Sequence, residues 1–188
     1  MKIAEKIKAF VPFNEQEKKD KEFILQCLST MPDIFSRSNT VAHMTASGWI
    51  VNKDRTKVLM AYHKIYDSWA WLGGHADGEE DLLLAALKEA CEESGIKHVK
   101  PVTEDIFSLE VLTVDGHVKK GEYVSSHLHL NLTYLLEADE EENLTGKQDE
   151  NTAVAWFSLE DALKASTEPW FVERIYGKLN AKLEKIYA

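Results

Sequence analysis

Residues 73–96 read GGHADGEEDLLLAALKEACEESGI, and the fold turns on how this stretch is read. Two glycines open it and Gly95 closes it. Between them apolar residues recur at helical spacing, with Leu83, Leu84, Leu87 and Ala90 expected on the packing side. Asp77 is placed to cap this helix, Glu80 follows three residues later, and Gly95 is placed to end it. Glu89, Glu92 and Glu93 stand at i, i+3 and i+4, so their carboxylates are expected to crowd one face. One turn back are Ala85 and Ala86, small enough to leave room over that face.

Two readings of the acidic face compete. A solvated cluster is common on surface helices, and Lys88 is spaced to pair with Glu92. Yet like charges on one face repel by ~0.2–0.5 kcal/mol per pair. A hard divalent cation, which takes oxygen ligands, removes that repulsion. The glycine pair adds weight to the second reading, because it permits a sharp turn and a close backbone approach.

Outward from this stretch the chain is rich in β character. TVAHMTASGWIV (40–51) and TKVLMAYHKI (56–65) flank NKDR and read as a hairpin, followed by a short loop and strand in YDSWAWLGG (66–74). DIFSLEVLTV (105–114) and YVSSHLHLNLTYLLEA (123–138) read as strands joined around DGHVKKG, whose Lys119 and Lys120 look like a solvated tip. An acidic loop (139–151) leads to a last strand, TAVAWFS (152–158). SLEDALKAS (158–166) and EPWFVERIYGKLNAKLEKIY (168–187) read as helices, the second with Pro169 in its first turn.

At the other end, Ile3, Ile7 and Phe10 share a helical face. Asn14, with Glu17 three residues on, caps a second helix that turns Phe23, Ile24, Cys27 and Leu28 inward. The expectation is an α/β fold, a mixed sheet between helices, with an N-terminal helical extension over 1–38 and one domain over 39–188.

Composition sets limits on the partners. With 188 residues, 44% of them apolar and 29% charged, the chain can bury a core unaided. Its formal net charge of −10 leaves no basic footprint for a nucleic-acid polymer. Cys27 and Cys91 form no paired motif and suit a reducing compartment. There is no secretory-type leader and no apolar run near the ~18 residues of a membrane span, so a cytoplasmic protein without membrane partners is expected.

The opening stretch resembles the Nudix box, Gly-x5-Glu-x7-Arg-Glu-U-x-Glu-Glu-x-Gly-U, where U is aliphatic. Gly74, Glu80, Glu89, Glu92, Glu93, Gly95 and Ile96 all match in register. Lys88 stands in the arginine position, which keeps the charge and loses the planar fork. Ala90 is smaller than the usual aliphatic residue there. WAWLGG resembles the lead-in to the box with Leu72 in place of proline, and the likeness extends over about residues 39–165. The chain looks like a bacterial MutT-like member of the Nudix superfamily, with no substrate assigned.

The resemblance implies a hydrolase that cleaves a diphosphate linkage in a nucleoside diphosphate derivative or a related organic pyrophosphate, with Mg²⁺ or Mn²⁺ as cofactor. By carry-over, Glu89, Glu92 and Glu93 bind the metal, the Gly73 carbonyl is an extra ligand, Glu93 is the dominant one, and Lys88 orients a glutamate. The general base is Glu89 or Glu92. A base or a further ligand in the acidic loop would be Asp149 or Glu150, although a solvated loop accounts for both.

Along HLHLNLTY, His127, His129 and Asn131 face one way and Leu128, Leu130 and Leu132 the other. They form either a polar strand face or a pocket wall, near His75, that meets phosphate or a second metal. Two histidines at i, i+2 can reach one ion, and spacing fixes no third ligand. His63 and Lys64 close a strand where the family contacts phosphate. Tyr66, Trp69, Trp71 and Phe107 are read as core or as a stacking shelf for a base.

Two other functions stay in play. An isopentenyl-diphosphate-isomerase-like enzyme would need a cysteine near the glycine pair, and Cys91 sits within the box helix instead. A non-catalytic nucleotide-binding regulator would not need the box glutamates, all of which are present. The substrate is set by loops outside the box. Residues 1–38 have two roles open to them, a cover over the pocket or a homodimer interface.

Overall fold

The computed structural model describes residues 2–64, 67–119, 121–146 and 151–187. Helix α1 (Ile3–Ala9) and helix α2 (Glu15–Thr30) come first, and the Asn14 side chain caps α2 by accepting from the Glu17 amide at 2.9 Å. The expected hairpin follows as β1 (Ala42–Val51) and β2 (Lys57–His63). Then come β3 (Ser68–Ala70), β4 (Leu72–His75) and the box helix α3 (Leu82–Ser94).

Strand β5 (Val99–Pro101), which the sequence pattern did not reveal, precedes β6 (Ser108–Val114). The segment read as a simple connection forms its own small hairpin, β7 (His117–Lys119) with β8 (Glu122–Val124). Long strand β9 (His127–Ala138) and β10 (Asn151–Ser158) complete the sheet. The chain ends in α4 (Leu159–Ala165), α5 (Pro169–Phe171), a π-helical turn over Val172–Tyr176, and α6 (Gly177–Tyr187).

The main sheet runs β10-β2-β1-β9-β5, with β3 added to β2, β4 to β1 and β6 to β9. It is mixed, because β1 and β9 pair in parallel while the other pairings are antiparallel. Strand alternation divides it into two faces. Met44, Ala46, Ile50, Leu72, Leu130, Leu132 and Leu136 lie in one apolar core with Leu82, Ala86 and Ala90 of α3 and with Ile7 and Ile24 of the N-terminal helices. Trp49, Val51, Val58, Met60, Trp71 and Leu135 lie in another with Ala162, Ile175, Tyr176 and Leu179. Helices on both faces give the expected α/β/α layering, and residues of the extension share the core under α3.

Helix α2 also covers the exposed flank of β6. Asp20 accepts from the Val111 amide at 3.2 Å, which satisfies an edge donor that would otherwise invite pairing. Burial raises the Asp20 carboxyl above its ordinary range.

Several local expectations are corrected. Asp81 caps α3, accepting from the Leu84 amide at 3.3 Å, whereas Asp77 takes a positive φ of 48° and pairs with Arg37. Leu84 and Phe23, both read as inward, are exposed. Of the aromatic residues read as core or shelf, Trp71 and Phe107 are core residues, and Trp69 packs edge-on against Phe157 at 4.8 Å. Tyr66 and Lys120 lie outside the described residues.

Candidate active site

Helix α3 does not present its three glutamates alike. Glu93 is 2% exposed, Glu89 half-buried and Glu92 exposed. Ala85 and Ala86, expected to leave room over the acids, are instead buried in the core. Lys88 reaches Glu92 at 3.7 Å, the i, i+4 pair that the spacing allowed.

The two glycines explain how the remaining acids meet the sheet. The Gly73 amide donates to Glu93 Oε2 at 3.1 Å. A Cβ on Gly74 would land 2.5–2.8 Å from the Glu89 carboxylate, so only glycine lets that acid lie on the strand. A side chain on Gly73 would strike Ser47 and the Ala46 carbonyl of β1. The glycine pair thus allows β4 to lie close to β1 and the acids of α3 to lie close to β4.

At the C-terminus of α3, Gly95 takes a φ of 76° and its amide returns to the Cys91 carbonyl at 2.9 Å, a left-handed stop that favours glycine.

The histidines gather elsewhere. Gly74 faces α3, so His75 beside it faces the opposite side of the sheet. There it meets His129 of β9, beside which His127 lies, and a residue that the sequence reading missed, His43 of β1. The His43 ring lies 4.9–5.1 Å, centroid to centroid, from those of His75, His127 and His129. His43 and His129 are directly opposite in the parallel register, and Thr45 is opposite both His75 and Asn131. The signal available in sequence was the odd-numbered polar series His43, Thr45 and Ser47, which matches the series His127, His129, Asn131 and Thr133.

Burial drives the ring of His75 down to about 3 and that of His129 to about 2, assisted by neighbouring positive charge and the other histidines. His43 is also lowered, again chiefly by burial. These three imidazoles are neutral at pH 7.

The polar strip continues below the histidines. Thr45 and Ser47 donate to the Asn131 side-chain oxygen at 3.0 and 2.9 Å. The Asn131 amide and the Thr133 hydroxyl donate to Glu110 at 3.1 and 2.9 Å. Lys178 pairs with Glu110 at 2.9 Å and with Glu17 at 3.5 Å, and Lys182 pairs with Glu17 at 2.6 Å. All four charged residues of this network are buried.

Of the other candidates, His63 is half-buried at the end of β2, in register with Ser68, and Lys64 follows it in an exposed turn. Asp149 and Glu150 lie outside the described residues. No helix among the described residues is long and apolar enough to cross a membrane.

Comparison with known proteins identifies the fold and the family. A sequence comparison with curated proteins finds no match. Among solved structures, an Ap4A hydrolase of C. elegans, seen in a binary complex, matches with a TM-score of 0.55 at 22% identity, covering 77% of this chain and 96% of its own. A NUDIX-family hydrolase from Clostridium perfringens matches with a TM-score of 0.51 at 23% identity over 74% of this chain and 97% of its own. A MutT protein from Methanosarcina mazei matches with a TM-score of 0.52 at 17% identity over 77% and 96%. At such identities the likeness speaks for the fold. The family itself is carried by a NUDIX domain model that matches residues 42–176, the span from the first strand to the π-helical turn, and on that match the chain belongs to the NUDIX domain family.

Proposed function

We propose that the chain is a divalent-metal-dependent hydrolase that cleaves a diphosphate linkage in a nucleoside diphosphate derivative or a related organic pyrophosphate. The observation that carries this reading is the meeting of box glycines and box acids, with Glu93 on the Gly73 amide and Glu89 against Gly74. The donor set fits the cofactor. Glu89, Glu92 and Glu93, with the Gly73 carbonyl, offer hard oxygen ligands that suit Mg²⁺ or Mn²⁺ rather than a softer ion. When bound, such an ion screens the diphosphate charge and lowers the pKa of a coordinated water.

The chain's own groups do the rest. Glu93 is the principal ligand, since a buried carboxylate held by a backbone amide loses little freedom when it binds. Glu89 or Glu92 accepts the proton of the attacking water. Lys88 steadies Glu92, a task an ammonium performs with less directional control than a guanidinium. His63 and Lys64 are the phosphate contacts in this reading. His75, His127 and His129 leave it, because they lie across the sheet from α3.

The alternatives gain nothing from the geometry. The thiol of Cys91 is on α3, with its pKa raised by burial, and that of Cys27 is in the core under α2.

The test is a screen in Mg²⁺ or Mn²⁺ over nucleoside triphosphates, nucleotide sugars, dinucleoside polyphosphates, dinucleotide cofactors and coenzyme A, run beside Glu93→Gln. Turnover of at least one class, falling to background in the variant, is the expected outcome. Unchanged turnover in Glu93→Gln removes that residue from the site, and silence on every class removes the reaction.

A further inference from the structure

We propose that His43, His75 and His129, with His127 beside them, form a transition-metal site of the zinc type, separate from the carboxylates of α3. This goes beyond the hydrolase reading and does not depend on it. One ligand atom from each of His43, His75 and His129 lies within 4.8 Å of the others. His127 Nε2 is 3.2 Å from His129 Nε2. Two nitrogens bound to one tetrahedral zinc at ~2.0–2.1 Å are about 3.3 Å apart, so that pair already stands at ligand spacing.

Ring orientation adds a second, independent observation. His43 is 3% exposed, and its Nδ1 donates to the Asn39 carbonyl at 2.9 Å. That bond leaves the proton on Nδ1 and a bare lone pair on Nε2. Nε2 is buried and has no hydrogen-bond partner. His127 is oriented in the same way, with Nδ1 donating to the Ser125 carbonyl at 2.8 Å. A carbonyl on the far ring nitrogen is the usual outer partner of a metal-bound histidine, because it fixes the tautomer and turns the other nitrogen inward. A cluster built only to satisfy itself would give the His43 lone pair a donor, since a buried acceptor left bare keeps its full desolvation penalty.

Ligand chemistry selects the ion. Neutral imidazole suits zinc, copper, nickel or cobalt, whereas Mg²⁺ takes oxygen. The ligands stand on three neighbouring strands, β1, β4 and β9, so the backbone sets their spacing. An ion here ties β4, the strand that carries Gly73 and Gly74, to the middle of the sheet.

The experiment is a Co²⁺ titration of the full chain, stripped with a chelator and dialysed, in the presence of excess Mg²⁺. Cobalt stands in for zinc and gives visible bands when held by nitrogen ligands in a low-coordinate site. One equivalent is expected to bind and to be displaced by Zn²⁺. His43→Gln and His75→Gln should each weaken binding by more than about 100-fold, the upper range for loss of a mere outer partner. Glu93→Gln should leave the stoichiometry unchanged. Absence of stoichiometric uptake, or uptake lost in Glu93→Gln and kept in His43→Gln, overturns the proposal. Should the histidine variants fail to fold, zinc-edge anomalous diffraction on the unaltered chain decides. A peak bonded to His43, His75 and His129 supports the site, and a peak at the α3 carboxylates alone, or none, refutes it.

Discussion

Replacing Glu110 by glutamine should unfold this protein far more readily than any surface change. Glu110 is fully buried and is the acceptor for Ser108, Asn131 and Thr133 as well as the partner of Lys178. Glutamine keeps the shape and loses the charge. The Lys178 ammonium, 3% exposed, would then have only Glu17 at 3.5 Å, an acceptor already engaged with Lys182 at 2.6 Å. Breaking one side of a buried pair costs about 3–5 kcal/mol, because a charge stays behind without compensation. For a chain of this length a kcal/mol moves the melting point by roughly 2–4 °C, so Glu110→Gln should lower it by about 6–20 °C.

The informative control is the double variant Glu110→Leu, Lys178→Met. It removes both charges together, and apolar replacement of a buried pair is often neutral or stabilising by ~1–4 kcal/mol. It should therefore be more stable than Glu110→Leu alone, and a double-mutant cycle with the single variants Glu110→Leu and Lys178→Met reads the coupling directly. Denaturant unfolding followed by circular dichroism measures both. A loss below about 1 kcal/mol for Glu110→Gln, or additive behaviour in the cycle, would refute the claim that these groups form a closed buried network.

Three further outcomes are expected. In the presence of a chelator, stability should be full above about pH 6.5 and fall as the pH drops towards the folded values of about 3 for His75 and about 2 for His129, since only the unfolded chain takes up those protons. His43, His127, Arg37, Asp77 and Lys119 face these rings, and the two together cost up to about 4 kcal/mol by pH 5, so a flat unfolding midpoint between pH 7 and 5 would contradict the assignment. Gly74→Ala should fold normally yet lose about 100-fold in kcat, because its Cβ displaces the Glu89 carboxylate, and steady-state kinetics beside a melting curve separates the two effects. Gly95→Ala should cost at least about 1–2 kcal/mol for its positive φ, with a further loss from its clash with the Thr145 hydroxyl, read as a lower denaturant midpoint.

The box was legible because its constraints are local. A helix stop at Gly95, a glycine under Glu89 and a carboxylate over Gly73 all involve residues within one strand–helix unit. Strand alternation likewise placed His127, His129 and Asn131 on one face. What could not be read was the pairing of β1 with β9. Parallel strands are joined by long crossovers, and no turn residue fixes their register. The polar series His43, Thr45 and Ser47 therefore had no visible partner until Ala42–Val51 was set against Leu128–Glu137. Glu17 was hidden for a related reason. Its position three residues after Asn14 marked it only as part of a capped helix start, and its partners Lys178 and Lys182 come from the last helix.

The division of β1 into two series bears on how the two centres communicate. Its even-numbered residues, such as Met44 and Ala46, form the floor under α3, and its odd-numbered residues hold the histidines and the Asn131 network. Strand β4 repeats the division within four residues, with Gly73 donating to Glu93, Gly74 making room for Glu89 and His75 entering the histidine cluster. A shift of β4 by a fraction of an ångström would move all three together, since packed cores transmit displacement rather than absorb it. Filling the histidine site would thus stiffen the acidic site from behind without touching substrate. The signature of that coupling is a change in kcat on zinc loading that His43→Gln abolishes while KM for Mg²⁺-bound substrate stays constant. A zinc effect that survives in His43→Gln would instead place the zinc at the α3 carboxylates.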